Sequence, residues 1–323
     1  MRVFLTGGTG FIGGEVARRL RARGDTVRAL VRTPSKAAAL TSIGCELVEG
    51  DLSDEDALRS AIKGYDTVVH GAAVYEIGVT AARAEALVDA NVRGTERILG
   101  AALAVGVRKA VYVSTVAIFG NTRGEVADEN WERPAGLGFT SVYEQTKVQA
   151  HARAMELSAR GLPLVTVQPG TVYGPGDTSD LGDILDKLLT GKLPLLPFPE
   201  LGITPVHRDD VAAGILLALD KGVNGESYVL AGEPLRMREL VAALAEVSGR
   251  RGPRGTLPTV VVKGLAPLGR FVGPLLGFPT NLREVVTSSD GVTFWARSDK
   301  AQEELGWTYR PLREGLATLS AQA

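Results

Sequence analysis

Short apolar runs alternate with helical patterns through the first half of this 323-residue chain. The runs have the length and β-branched content of buried strands, and the stretches between them show helical periodicity. This alternation predicts an α/β protein with a Rossmann-type doubly wound parallel sheet and right-handed crossovers. The predicted strands are Arg2–Thr6, Thr26–Val31, Cys45–Glu49, Thr67–Val69, Val107–Val113 and Leu164–Val167, and the predicted helices include Glu15–Arg23, Asn91–Ala104 and one that carries Tyr143.

Glycines fill the turn between the first strand and the first helix, and they satisfy both the GxGxxG and the GxxGxxG spacing. Glycine lets a backbone turn tightly and approach a pyrophosphate, whose charge the amides and dipole of the following helix can hold. The same glycine spacing could also mark an ordinary turn between a strand and a helix, without a ligand. The position between a strand and a helix favours a dinucleotide site. Its predicted binding residues are Gly7, Gly10, Phe11, Ile12 and Gly13.

The end of the second strand is basic rather than acidic. An NAD site usually places an Asp or Glu there to bind the ribose 2′-hydroxyl, whereas this chain has Arg32, with Lys36 close behind. A guanidinium suits the 2′-phosphate of NADP, although an arginine at a strand end can also be merely solvated. We therefore expect NADP(H) to be preferred, with NAD(H) as the alternative.

Other cofactor contacts are expected where later strands end. Asp51, followed by Leu52, either bonds the adenine edge or caps the helix that starts near Asp54. Ala72 and Ala73 are small enough to let a cofactor lie close. His70 is expected to be a hydrogen-bonded histidine at a strand end, since no metal-spaced partner accompanies it.

Tyr143 and Lys147 form the pair with the clearest chemistry. Four residues apart on a helix, they share one face, where a nearby ammonium would lower the pKa of the phenol toward the range of acid/base catalysis. Ser114 and Thr115 follow the fifth strand, at the sheet edge where ligands of such folds bind, and either hydroxyl could hold a carbonyl oxygen. A solvated helix face is the plain alternative for the Tyr–Lys pair.

The regular alternation fades beyond Gly176. We expect a nucleotide domain of residues 1–175 and 206–231 and a smaller, mostly C-terminal α/β substrate lobe of residues 176–205 and 232–323. A helix opens near His207, with Asp209 or Asp210 as its cap. Residues 256–278 are apolar but too often interrupted by proline and charge to span a membrane, so a lid, an interface helix or contact with a membrane surface is expected there.

The composition argues against nucleic-acid binding, a histidine metal site and an internal disulfide. A formal net charge of -1 gives no basic footprint for nucleic acid, and three scattered histidines give no metal cluster. Cys45 is the only cysteine, so it forms no internal disulfide and is expected to be a buried apolar residue. An apolar strand follows Met1 directly, without the pattern of a signal peptide, and a cytoplasmic location is expected.

Motifs in a characteristic order resemble the extended short-chain dehydrogenase/reductases, the NAD-dependent epimerase/dehydratase family. They extend over nearly the whole chain. The segment Val27–Arg32 resembles the branch similar to dihydroflavonol-4-reductase, which reduces ketones with NADPH. The motifs are Thr6-Gly7-Gly8-Thr9-Gly10-Phe11-Ile12-Gly13, Asp51-Leu52, His70-Gly71-Ala72-Ala73, Asn91-Val92-Arg93-Gly94-Thr95, Ser114-Thr115 with Gly120 beyond, Tyr143-x-x-x-Lys147, Pro169-Gly170-Thr171-Val172-Tyr173-Gly174-Pro175, Ser298-Asp299-Lys300-Ala301 and Leu305-Gly306-Trp307.

The resemblance implies a role for each matching residue. Tyr143 would be the general acid/base and Lys147 its partner, which also bonds the nicotinamide ribose; Thr115 would be the catalytic hydroxyl, with Ser114 as second choice. Asn91 matches a proton-relay residue of the classical branch. Pro169, Gly170 and Val172 would complete the cofactor site. Gln168 departs from a common Arg, and residues 202–207 lack the Arg that nucleotide-sugar enzymes often carry. Family members often pair through the helices after strands four and five, so a homodimer is the expected assembly.

Three functions follow from this pattern. The first is an NADP-dependent oxidoreductase that reduces a ketone or aldehyde, or oxidises the alcohol, with Tyr143 as acid/base and an uncharged small-molecule carbonyl as substrate. The second is a nucleotide-sugar epimerase or dehydratase, which would need several cations around a diphosphate; between Tyr173 and His207 there are only Lys187 and Lys192. The third is a non-catalytic dinucleotide sensor. The residues do not identify the substrate or the direction of the reaction.

Overall fold

A computed structural model describes residues 1–272 and 279–320. Its strands are β1 (Arg2–Thr6), β2 (Thr26–Val31), β3 (Glu46–Glu49), β4 (Thr67–His70), β5 (Lys109–Val113), β6 (Leu164–Pro169), β7 (Thr171–Tyr173), β8 (Leu195–Leu196), β9 (Gly202–Ile203), β10 (Pro205–His207), β11 (Ser227–Leu230), β12 (Leu235–Arg236) and β13 (Gly255–Thr256).

The α-helices are α1 (Phe11–Ala22), α2 (Ala38–Ser42), α3 (Glu55–Ile62), α4 (Ala81–Val88), α5 (Gly94–Val105), α6 (Val142–Ala159), α7 (Asp180–Leu189), α8 (Arg208–Lys221), α9 (Met237–Ser248), α10 (Thr259–Leu265), α11 (Gly269–Val272), α12 (Leu282–Ser289), α13 (Asp299–Leu305) and α14 (Leu312–Ser320). Short 3-10 turns lie at Pro34–Lys36, Val116–Phe119 and Ala266–Leu268, and a π-helical turn lies at Asp89–Arg93.

Seven of the strands in the described residues form one parallel sheet in the order β11-β6-β5-β4-β1-β2-β3. The chain builds outward from β1 through β2 to β3 and then crosses to β4 on the other side of β1. The order therefore reverses between β1 and β4. In doubly wound sheets the ligand lies outside the carboxyl ends of the strands at such a switch point. The predicted Rossmann-type fold is confirmed.

Apolar side chains cover both faces of the sheet, which explains why its strands read as continuous apolar runs. Val3 and Leu5 of β1 point into one core with residues of α1 and α8, whereas Phe4 points into the opposite core with residues of α3, α5 and α6. Cys45 is buried in the first of these cores, as expected. The sheet is thus a rigid layer whose carboxyl edge carries the candidate site.

The helix predicted at Asn91–Ala104 is longer than the pattern indicated. α4, the π-helical turn and α5 follow one another without a break from Ala81 to Val105, so Asn91 lies inside a helix and does not cap one. The prediction of an Asp cap for α8 is also wrong. His207 is the N-cap, and its Nδ1 accepts a hydrogen bond from the Asp209 amide at 3.2 Å. Asp210 instead binds the Arg310 guanidinium with both carboxylate oxygens.

A further apolar core lies among α7, α9 and α14, where Leu185, Leu244 and Leu316 are buried together. α13 and Trp307, by contrast, pack against α8 and the sheet.

The domain boundaries remain a prediction. Of the apolar stretch 256–278, residues 273–278 lie outside the described residues, and α10, a 3-10 turn and α11 follow one another from Thr259 to Val272. Within the described ranges no helix has the length and apolarity to cross a bilayer.

Candidate active site

The glycine turn between β1 and α1 is too tightly packed to admit side chains at two positions. Gly7 has a φ of +79°, and a Cβ there would lie 2.6 Å from the carbonyl carbon of Gly71. A Cβ on Gly13 would lie 2.1 Å from the Gly7 oxygen. Among the described residues, no side chain caps the start of α1, and its first turn has no acidic residue. Free amides at a helix N-terminus fit an anionic pyrophosphate.

Basic side chains stand where the adenosine end of a dinucleotide would lie. Arg32 directly follows β2 and is exposed, as is Lys36, and neither forms an ion pair within the described residues. The side chain of Asp51 accepts hydrogen bonds from the amide and hydroxyl of Ser53, which lower the pKa of the carboxyl group, with Arg32 adding a smaller effect. Asp54, not Asp51, caps α3. The capping alternative for Asp51 is therefore wrong, and its contact with adenine remains a prediction.

His70 is a fully hydrogen-bonded residue at the end of β4, as expected. Its Nδ1 lies 2.7 Å from the hydroxyl of Thr6 and its Nε2 lies 3.0 Å from the hydroxyl of Thr95. Burial lowers the pKa of His70 to about 3, so the imidazole is neutral at physiological pH. The ring thereby joins the carboxyl ends of β1 and β4 to α5, beneath the loop of Gly71, Ala72 and Ala73.

Asn91 holds the continuation of that loop. Its Oδ1 accepts the Val74 amide at 2.7 Å, and its Nδ2 donates to the Val74 carbonyl at 2.9 Å and to the hydroxyl of Thr146 at 3.0 Å. The π-helical turn points Asn91 at this loop, a use of such turns that is frequent at functional sites. These contacts explain Asn91 as a residue that positions the loop relative to α6, and a part in proton transfer remains a prediction.

Tyr143 and Thr115 meet at the carboxyl edge of β5. Thr115 caps the following 3-10 turn, and its hydroxyl lies on the side of the Tyr143 phenol, where it favours the ionised form. Burial has the larger effect and raises the pKa of Tyr143 to about 12. Ser114 turns the other way, with its Oγ 3.3 Å from Nδ1 of His151. Of the two candidate hydroxyls, Thr115 is therefore the one that faces the phenol.

Lys147 is buried beside β5, where the backbone and an aromatic ring hold its ammonium. Nζ donates to the Val113 carbonyl at 3.1 Å and lies 5.1 Å from the centre of the Tyr112 ring. Burial lowers the pKa of Lys147 to about 8. That Lys147 lowers the pKa of Tyr143 remains a prediction, because a shared helix face does not by itself fix where a long flexible side chain ends.

The exit from β6 brings the last predicted cofactor residues to the same edge. Pro169 ends β6 and Val172 lies in β7, which pairs with β10. A Cβ on Gly170 would lie 2.2 Å from the Thr204 carbonyl oxygen, so close backbone packing requires glycine here. The Arg208 guanidinium lies 5.3 Å from the centre of the Phe11 ring, at the mouth of the glycine turn. No local sequence signal links Arg208 to this turn, because the two are far apart in the chain.

A cavity of about 430 Å³ is connected with the phenol through Tyr75. Tyr75 lines it and meets Tyr143 edge to face, with ring centres 4.8 Å apart. Sequence reasoning gave Tyr75 no role, since nothing local marks it. Three of the described residues that line the cavity carry charge, namely Glu76, Arg83 and Asp180. The residues that line the cavity are Tyr75, Glu76, Ile77, Gly78, Val79, Thr80, Arg83, Thr178, Ser179, Asp180, Pro279 and Thr280.

Residues 3–231 match the model of the NAD dependent epimerase/dehydratase family. Over 330 residues the chain is 33% identical to a putative dihydroflavonol 4-reductase of Synechocystis sp., covering 97% of this chain and 92% of the relative. Over 316 residues it is 31% identical to the 4-hydroxy-2-methyl-3-oxo-4-farnesyl-3,4-dihydroquinoline-1-oxide ketoreductase of Stigmatella aurantiaca, covering 96% and 92%.

Solved structures agree with this fold. The crystal structure of gox2253 superposes with a TM-score of 0.83 at 32% identity, covering 99% of this chain and 97% of the other. A double mutant of the dTDP-glucose 4,6-dehydratase DesIV from Streptomyces venezuelae, with NAD bound, superposes with a TM-score of 0.80 at 25% identity, covering 99% and 96%. Both kinds of chemistry, reduction of a carbonyl and dehydration of a nucleotide sugar, thus occur among the relatives.

Proposed function

Because this chain belongs to the NAD-dependent epimerase/dehydratase family and is an NAD(P)-dependent dehydrogenase/reductase, we propose that it reduces a ketone or aldehyde with NADPH. The observation that carries this proposal is the pairing of the Thr115 and Tyr143 side chains at the carboxyl edge of the sheet, next to Tyr75, which lines a cavity. NADPH, when bound, supplies the hydride that the carbonyl carbon receives.

The glycine turn and the amides of α1 would hold the pyrophosphate, and Arg32 and Lys36 would face the 2′-phosphate. Tyr143 holds the proton that the carbonyl oxygen needs. With a pKa near 12 the phenol stays protonated at neutral pH, so it is ready to act as the acid. Thr115 orients the phenol and is a donor for the same oxygen.

Charge in the cavity supports an uncharged substrate over a nucleotide sugar. Arg83 is the sole cation among the described residues that line the cavity, and Glu76 already binds its guanidinium through two oxygens. Asp180 adds a carboxylate on the opposite segment. A diphosphate needs several unpaired cations, so it would meet an unfavourable field here.

Replacement of the phenol tests the proposal. Tyr143→Phe removes the hydroxyl and keeps the ring, and we expect kcat to fall by about 10²–10⁴-fold, the usual contribution of positioned acid/base catalysis. Oxidation of NADPH is followed against a panel of a dihydroflavonol, a 2-alkyl-3-oxo ester, a 3-ketosteroid and an aromatic aldehyde. Tyr228→Phe is the matched control, because the Tyr228 hydroxyl bonds Glu304, which lies in α13.

Two results would contradict the proposal. Turnover of Tyr143→Phe close to that of the unchanged protein would remove the phenol from the mechanism. Conversion of UDP-glucose or dTDP-glucose with catalytic rather than stoichiometric use of the cofactor would assign the chain to the epimerase and dehydratase branch.

A further inference from the structure

The carboxylate of Glu284 joins two segments that meet at the candidate active site. Glu284 lies in the first turn of α12 and is partly buried. Its Oε1 accepts the Val142 amide at 2.8 Å, and its Oε2 accepts the Val79 amide at 3.0 Å. Val142 directly precedes Tyr143 at the start of α6, and Val79 lines the cavity. One side chain thus connects the helix that carries the phenol with the cavity wall.

Asn281 completes this connection. Its side chain caps α12 by accepting the Glu284 amide at 3.3 Å, while its Nδ2 donates to the Val79 carbonyl at 3.0 Å and to Oε2 of Glu284 at 3.2 Å. The Asn281 amide donates to the Gly78 carbonyl at 3.3 Å. Both backbone groups of Val79 are therefore bonded to side chains of the α12 segment.

The loop from Val74 to Val79 is consequently held at both ends. At one end Asn91 binds the amide and the carbonyl of Val74; at the other end Glu284 and Asn281 bind those of Val79. Between these points the loop presents Tyr75 edge-on to Tyr143. The spacing between the cavity wall and the phenol then depends on contacts from α12.

The first backbone amides of a helix have no acceptor within the helix and need one from outside. At the start of α6 the hydroxyl of Ser141 accepts the Glu144 amide, and Glu284 accepts the Val142 amide. A hydrogen bond to an ionised carboxylate is about twice as strong as a neutral one. Glu284 therefore fixes the backbone one residue before Tyr143.

We propose that Glu284 is a positioning residue for the reduction, which sets the distance between the substrate-binding loop and the Tyr143 phenol. This inference rests on the proposed function, since Glu284 acts through Tyr143. The ionised carboxylate suits the task because it offers acceptors to two backbone amides at once.

Glu284→Gln and Glu284→Ala test this role. Glutamine offers one oxygen and one amino group, so one of the two amides loses its acceptor, and alanine removes both acceptors. Since a displacement of about 1 Å can cost about 100-fold in rate, we expect kcat with the best carbonyl of the panel to fall about 10-fold in the glutamine variant and about 100-fold in the alanine variant. The Kd for NADPH should stay within about twofold, because the glycine turn lies apart from these contacts.

Glu239→Gln is the matched control. Glu239 also accepts a backbone amide at a helix start, that of Arg236 at 2.6 Å before α9, but its helix packs in the lobe core. Amide exchange followed by mass spectrometry reports the contact without a substrate. Peptides that cover residues 74–80 and 140–144 should exchange about 10-fold faster in Glu284→Gln and at the normal rate in Glu239→Gln.

Combination with Tyr75→Ala separates positioning from general loss of stability. If Glu284 acts through the loop, the losses in kcat/KM of Tyr75→Ala and Glu284→Ala combine to less than their product. If the alanine variant fails to fold, the kcat and the amide exchange of Glu284→Gln test the role of Glu284 instead.

Three outcomes would overturn the inference: normal exchange in Glu284→Gln, faster exchange with unchanged kcat, or independent effects of the two alanine substitutions. Tyr143→Phe, measured in parallel, keeps the two proposals distinct. If that variant stays active the proposed function fails, whereas an inactive Tyr143→Phe with a fully active Glu284→Gln removes only the role of Glu284.

Discussion

Burial moves the pKa of four side chains near the carboxyl edge of the sheet. It lowers the pKa of His70 to about 3, of His151 to about 4 and of Lys147 to about 8, and it raises that of Tyr143 to about 12. Each shift favours the neutral form, as expected where charge is poorly solvated. Perturbed groups of this kind cluster at functional sites, which is consistent with the placement of the site.

His70 should make the protein less stable in acid. Its pKa is lowered in the fold, so between pH 6.5 and about 3 the unfolded chain binds a proton that the folded protein does not, and stability falls as the pH falls through that window. From pH 6.5 to 5 this amounts to about 2 kcal/mol. Urea unfolding at both pH values would measure it.

His70→Gln, which can still bond the Thr6 and Thr95 hydroxyls, should lose about 2 kcal/mol less over that interval. An equal loss of stability in the variant and the unchanged protein would show that His70 does not cause the acid sensitivity.

At the level of elements, α6 is braced at its first turn by a buried ion pair. Glu144 is 1% exposed, and its Oε1 lies 2.6 Å from Nη1 of Arg133, a close charge contact whose angles are not those of a hydrogen bond. Its Oε2 accepts the amide and the hydroxyl of Thr140. A Cβ on Gly120 would lie 2.3 Å from Nη1 of Arg133, so the glycine after the 3-10 turn makes room for the guanidinium.

Glu144→Gln should therefore be strongly destabilising. Removal of one partner leaves a poorly solvated guanidinium, a change that typically costs about 3–5 kcal/mol. The matched control is Glu156→Gln on the same helix, whose pair with Arg153 is exposed and should contribute less than about 1 kcal/mol. Equal free energies of unfolding for the two variants would contradict the bracing role.

Local requirements explain which parts of the site the sequence could predict. The glycine turn was predictable because Gly7 and Gly13 meet a steric need within one turn. The Ser141-x-x-Glu144 spacing at the start of α6 is also a local signal, typical of a helix N-terminus. Glu284 had no such signal, since its partner Val142 lies 142 positions away and α12 follows a proline-rich apolar stretch. The position and the burial of a side chain, which set the pKa of Tyr143, are determined only when the chain folds.

At the scale of the whole molecule, three segments distant in the chain converge on one cavity. The loop after β4, the start of α7 and the segment before α12 each contribute to its wall. Contacts from α12 to Val79 and Val142 make the C-terminal part of the chain a component of the candidate active site. This convergence explains why substrate choice is the property that local sequence patterns determine least.

Cofactor binding should stabilise the whole fold more strongly the tighter the cofactor binds, which makes unfolding a test of cofactor preference. A bound ligand adds RT ln(1 + [L]/Kd) to the free energy of unfolding, so about a tenfold tighter Kd adds about 1.4 kcal/mol. At equal concentration we expect NADPH to raise Tm more than NADH does. Arg32→Gln should remove about a tenfold advantage of NADPH and leave the effect of NADH nearly unchanged, because only NADPH carries the 2′-phosphate.

Arg108→Gln is the matched control for that experiment, since Arg108 is also exposed but precedes β5, at the amino edge of the sheet. Arg32 is itself exposed, so the advantage of NADPH should shrink as ionic strength rises and the Debye length falls to about 3 Å at 1 M salt. A larger Tm shift with NADH, or an NADPH advantage that survives both Arg32→Gln and high salt, would show that the basic end of β2 does not select the cofactor.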